Sequence, residues 1–251
     1  MLTKLLKYEF RATARVMLPL YLILLATALG ANLSTRGMGD LGTLLVLAFA
    51  LAILAVFIMS VVIMAQRFRQ NLLGDEGYLM FTLPVSVHHH LWAKMIVSAV
   101  WFAASLLAVI LAAMLSVSGQ RELLEFFREF GRMQLSPGEW ANFYTFLLEL
   151  VVLGFVSSFT LCLQFYASMA VGYSFSSHKT LWSVGAFLLL SMVSSVVTSI
   201  LDFDIDFDEV GLLAPGPIHL LMWVVIAGCI VVGAVYYCIT AYFLKNRLNL
   251  A

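Results

Sequence analysis

Long apolar runs broken by short polar segments are the dominant pattern of this chain. Six runs approach or exceed the roughly 20 apolar residues that a helix needs to cross the hydrocarbon core. They cover about residues 16–33, 41–65, 95–118, 143–173, 181–201 and 218–244. The fourth is long enough for a tilted helix, or for a helix preceded by an interfacial turn. The pattern predicts an all-α polytopic membrane protein with six transmembrane helices, a single membrane domain over residues 1–251. The longest polar segment, residues 66–94, is too short for a soluble domain of its own.

The first 15 residues differ from the runs. At about 100° per residue, Lys4, Lys7, Arg11 and Arg15 fall on one stripe, with Leu2, Leu6, Phe10 and Met17 opposite. This predicts an N-terminal amphipathic helix in the membrane interface, its cations near anionic headgroups. It serves as a plain anchor or as a contact for a cytoplasmic partner, and the residues do not separate the two. The charged start, the apolar stretch and Ala26-Thr27-Ala28 faintly mimic a signal peptide. The length and amphipathicity of the charged segment argue against cleavage there.

Composition strengthens the membrane reading. The chain is 63% hydrophobic and 11% charged, with mean hydropathy +1.00, against about 25% charged in soluble domains. Net charge is zero, and no basic patch suits nucleic acid. The distribution of charge sets the expected orientation. Lys4, Lys7, Arg11, Arg15, Arg67, Arg69, Lys94, Lys179, Lys245 and Arg247 lie in the two termini and in the segments after the second and fourth runs. Only Arg36, Arg121, Arg128 and Arg132 lie on the other side. The positive-inside rule therefore puts both termini in the cytoplasm of a multi-pass cell-membrane protein. Cys162, Cys229 and Cys238 all sit in apolar runs and read as packing residues.

The segment between the second and third runs is the most informative. Gly74 and Gly77 flank Asp75 and Glu76, an apolar stretch runs from Tyr78 through Leu79, Met80 and Phe81 to Leu83, and Pro84 ends it. Ser86 is placed to cap the helix leading into the third span. An apolar stretch in a cytoplasmic loop needs a partner to bury it.

In these residues the chain resembles the permease subunit of type-2 ATP-binding-cassette exporters. The resemblance covers the layout of the whole chain and is most specific over residues 74–94. There an acidic residue and a Gly, a short apolar segment, Pro-Val-Ser and a Lys occur in order, matching Glu76, Gly77, Leu83, Pro84, Val85, Ser86 and Lys94. The opening Leu5-Leu-Lys-Tyr-Glu-Phe10 also looks like the start of small permeases of this kind. Tyr78-Leu-Met-Phe81 departs from the family's more usual Thr-Leu-containing segment. The resemblance implies that residues 75–86 form a short coupling helix in a groove of a separate cytoplasmic ATPase. It also implies a second permease copy or paralogue. ATP would be bound by the ATPase, since this chain has no Gly-x-x-x-x-Gly-Lys-Ser/Thr phosphate loop. No cofactor and no catalytic residue are expected in the chain itself.

Other features carry less. His88-His89-His90 cannot converge on one ion from consecutive helical positions, so no metal site is expected. Asp202, Asp204, Asp206 and Asp208, with Glu209, would share one face in extended form. They read as a solvated acidic loop, or as a site attracting a cation on the outer side. Glu149 is an ionisable group in the fourth run, near its outer end, and is a candidate for a pathway. Ser191, Ser194, Ser195 and Thr198 form a small polar stripe on the fifth. Residues 121–132 read as an outer amphipathic helix. Two other readings stand beside the permease. One is a membrane sensor or assembly protein. The other is an intramembrane enzyme, for which Glu149 is the only clear ionisable group in the runs.

Overall fold

The computed structural model describes residues 2–34, 39–74, 87–116, 124–125, 128–129, 131–132, 136–200 and 215–246. The protein is all-helical in these residues. The helices are α1 (Leu2–Ser34), α2 (Gly39–Phe68), α3 (Val87–Ser116), α4 (Pro137–Gly172), α5 (Lys179–Ile200) and α6 (Pro215–Asn246). All six are long and apolar enough to cross a membrane.

The helices outrun the apolar stretches because hydrocarbon thickness limits only the apolar part of a helix. Caps decide where the helix itself begins. At α4 the Ser136 hydroxyl accepts from the Glu139 backbone N–H, the Glu139 carboxylate accepts from the Ser136 N–H at 2.7 Å, and Pro137 takes the first helical position. This capping box starts the helix six residues ahead of the apolar run. At the other end of the chain order, α1 is a single helix. No break separates the basic segment from the first span, and Pro19 lies inside it.

Two compact units emerge from the packing. The first joins Thr3–Ile63 to Val100–Gln134, so it contains most of α1 and α2 and the second half of α3. Its core is Leu24, Ala28, Val56 and Ala112, with Tyr21, Phe49 and Ile53 packed around them. Lipid offers no hydrophobic gain for helix pairing, so small residues and polar bridges hold such helices together. Here the Tyr21 hydroxyl bonds the Ser105 hydroxyl at 2.8 Å, and Ser105 bonds Ser60 at 3.0 Å. The Asn32 amide donates to the Leu115 carbonyl at 2.9 Å. The Trp101 indole N–H donates to Thr13 at 2.6 Å, and Met17 is buried while Lys7, Arg11 and Arg15 are exposed.

The second unit holds Met64–Ala99 and Leu135–Ala251. In it α4 packs on both α5 and α6. The turn from α4 to α5 is tight. The Tyr173 N–H donates to the Met169 carbonyl at 2.9 Å, the Ser174 hydroxyl donates to the Val171 carbonyl at 2.6 Å, and Phe175 stacks on Trp182 at 4.4 Å. His178 closes the turn with φ of 54°, in the left-handed region that costs an L-residue about 1–2 kcal/mol. His178→Gly is therefore expected to keep or slightly raise stability. His178→Val, which is β-branched, is expected to lower it by about 1–2 kcal/mol. Thermal unfolding of the detergent-solubilised protein distinguishes these outcomes.

Candidate functional site

Of the residues singled out above, Asp75, Glu76, Gly77, Tyr78, Leu79, Met80, Phe81, Leu83, Pro84 and Ser86 lie outside the described residues, as do Asp202, Asp204, Asp206 and Asp208. The ends of the first segment are described. On one side α2 passes into a π-helical turn, Arg69–Leu73, with Asn71, Leu72 and Leu73 buried. On the other side α3 begins at Val87, one residue after the expected cap at Ser86, and buries His90 and Leu91 within its first turns. The Lys94 ammonium, itself buried, donates to the Arg67 carbonyl at 3.2 Å. That carbonyl is near the end of α2, where the change to π geometry rearranges the i to i−4 ladder. Lys94 thus clasps the two ends of the loop together.

The clasp continues into the second unit's core. Phe68, fully buried, stacks face to face on Tyr166 of α4 with centroids 4.0 Å apart. The Tyr166 hydroxyl bonds the Ser98 hydroxyl of α3 at 3.1 Å. The α2 end of the loop therefore rests on an aromatic pair within the second unit. Sequence reading did not find this pair, because one Phe and one Tyr in apolar runs give no signal of their mutual contact.

The three consecutive histidines diverge, as 100° spacing requires. His88 is exposed, its Nδ1 lies 2.6 Å from the Tyr237 hydroxyl and its ring stacks on that tyrosine, whereas His90 is buried. Among the described residues no three metal-ligating side chains converge.

The seam between α4, α5 and α6 carries the rest of the polar chemistry. The Gln164 amide donates to the Ser191 hydroxyl at 2.7 Å. Tyr236 donates to the Leu190 carbonyl at 2.9 Å, and its hydroxyl also contacts the Ser194 hydroxyl. Thr160 donates to the Cys229 carbonyl at 3.0 Å. A Cβ on Gly233 would lie 3.1 Å from the Thr160 hydroxyl, so α4 and α6 run very close there. Half of the α5 polar stripe thus serves helix packing: Ser191 and Ser194 bond across helices, Ser195 is exposed, and the Thr198 side chain is outside the described set.

Glu149 stands apart from this stripe. It is 1% exposed, and it is the only buried residue of α4 before Cys162. Its Oε2 lies 2.7 Å from Nδ1 of His219, near the start of α6. His219 lies in the first turns of α6, and Glu149 lies about a third of the way along α4. Trp140, Phe143 and Tyr144 form an aromatic cluster about one and a half to two and a half turns before Glu149. Such clusters are enriched at membrane–water boundaries. Burial of a carboxyl group is expensive unless a polar group pairs with it, and the His219 ring is that partner. Sequence reading named Glu149 but missed His219. The available signal was a lone base at the start of the sixth run, together with a lone acid in the early part of the fourth.

No family model matches this chain, and neither the curated proteins nor the solved structures contain a match to it.

Proposed function

We propose that this chain is the permease subunit of an ATP-driven exporter of the cell membrane, energised by a separate cytoplasmic ATPase and paired with a second permease copy or paralogue. Both termini lie in the cytoplasm in this reading, as the distribution of Lys and Arg requires. The supporting observation is the base of the 75–86 segment. Its two ends are tied by Lys94 to the Arg67 carbonyl, and one of them is braced on the Phe68–Tyr166 stack. An apolar loop held on such a base delivers a push to α4 instead of dissipating it in its own flexibility. The sequence of the same loop, Glu76-Gly77 through Pro84-Val85-Ser86, resembles the exporter pattern. In the proposed mechanism the loop docks in an ATPase groove, and closure of the ATPases tilts α4 through Phe68 and Tyr166.

The test is co-purification. The intact chain in detergent is expected to retain an ATPase, and Leu79→Asp or Phe81→Asp to reduce retention at least about tenfold, since a charge placed in an apolar contact costs more than 1.4 kcal/mol. Full retention by both variants, or no ATPase with the unaltered chain, removes the proposal.

A further inference from the structure

The Glu149–His219 pair takes no part in the proposed coupling to an ATPase. The facts are a carboxylate 1% exposed, an imidazole 21% exposed, and 2.7 Å between Oε2 and Nδ1. The carboxylate is enclosed by protein, while the ring beside it is partly exposed and lies in the first turns of α6. Such a group is accessible to a proton passed along a hydrogen bond.

We propose that Glu149 and His219 form a proton-binding site within the membrane domain, with Glu149 as the buried acceptor and His219 as the relay that connects it to the aqueous boundary. The step balances without further reactants. The Nδ1–H bond of an imidazolium breaks and an O–H bond forms at Oε2. Imidazolium plus carboxylate becomes imidazole plus carboxylic acid, with total charge zero in both states. The ring then takes its next proton from the boundary side. Because the step moves no net charge into the bilayer, it escapes the several kcal/mol that an isolated ion costs there. The acid form also tolerates separation of α4 from α6 in lipid, whereas a bare carboxylate does not. Proton occupancy and the closeness of these two helices are therefore linked.

Few other ionisable residues lie on the described helices of the second unit. Between Glu139 and Gly172, α4 carries no other Asp, Glu, Lys, Arg or His. On α5 the only such residue is Lys179 at its start, and on α6 the only one besides His219 is Lys245 near its end. The basic residues of α3 are His88, His89, His90 and Lys94; this part of α3 meets α4 at Phe159 and Tyr166, well past Glu149. The acidic run 202–209 lies outside the described residues.

The experiment is infrared difference spectroscopy on the purified chain in lipid, without any ATPase, so its outcome is independent of the exporter reading. Acidification of the unaltered protein is expected to produce the C=O band of a protonated carboxylic acid that Glu149→Gln, an isosteric change, lacks. After a pH jump, His219→Asn is expected to retain the band, because the side-chain N–H still reaches Oε2, but to slow its appearance about a hundredfold, within the range that a positioned proton donor contributes. Identical acid spectra for the unaltered protein and Glu149→Gln overturn the site. An unchanged rate in His219→Asn overturns the relay.

Discussion

Replacing Gly172 with valine is expected to lower the stability of the protein by about 3 kcal/mol, the upper range for forcing extra atoms into a packed contact. A Cβ at this position would lie 2.6 Å from Cα of Ser183 and closer still to that residue's backbone nitrogen and hydroxyl. The obstacle is backbone, so no rotamer change relieves it, and the first turns of α5 must move. Gly172→Ala is expected to cost about 1–3 kcal/mol for the same reason. Gly154 is the control on the same helix, since its added Cβ meets nothing within 4 Å. Gly154→Ala is expected to be neutral or to stabilise by about 0.5–1 kcal/mol through helix propensity. Thermal unfolding monitored by size-exclusion chromatography ranks the three. Equal stability of Gly172→Val and the parent would mean that α4 and α5 do not meet as described.

The second large effect is at the buried pair. His219→Leu leaves the carboxylate of Glu149 without its partner and is expected to cost about 3–5 kcal/mol. Glu149→Leu in the same background is expected to recover most of that loss. A pair of leucines has no charge to desolvate, and replacing both members of a buried ion pair by apolar residues is often neutral or better. A double-mutant cycle on denaturant midpoints gives the coupling directly. If the double variant is as unstable as the sum of the single ones, Glu149 and His219 do not act as a pair.

The two residues also show how unevenly the site was legible. Glu149 was visible as the one carboxylate in an apolar run. His219 was not singled out, because a histidine at the edge of a run is unremarkable until another helix places an acid beside it. The same holds for Phe68 and Tyr166, whose stack depends on the register of α2 against α4. Hydropathy marks the lipid-exposed length but not the whole helix, so α1 begins fourteen residues ahead of the first apolar run. The capping box at Ser136 and Glu139 extends α4 beyond that length.

What the sequence by itself determined is the class of solvent, the number of spans and their helical nature. These follow from local composition: in lipid every backbone donor and acceptor must be satisfied within the segment, and a helix does this without any neighbour. The expected orientation rests on the same kind of local count, that of Lys and Arg near the span ends. What only the tertiary structure decided is which polar residues meet. The Lys94 clasp, the Tyr21–Ser105–Ser60 bridge and the Glu149–His219 pair each join residues on different helices. Their energies depend on distances set by helix rotation and close approach, as at Gly172 and Gly233. An apolar run is nearly the same all round, so its hydropathy carries no record of which side faces a neighbour, and packing alone supplies it.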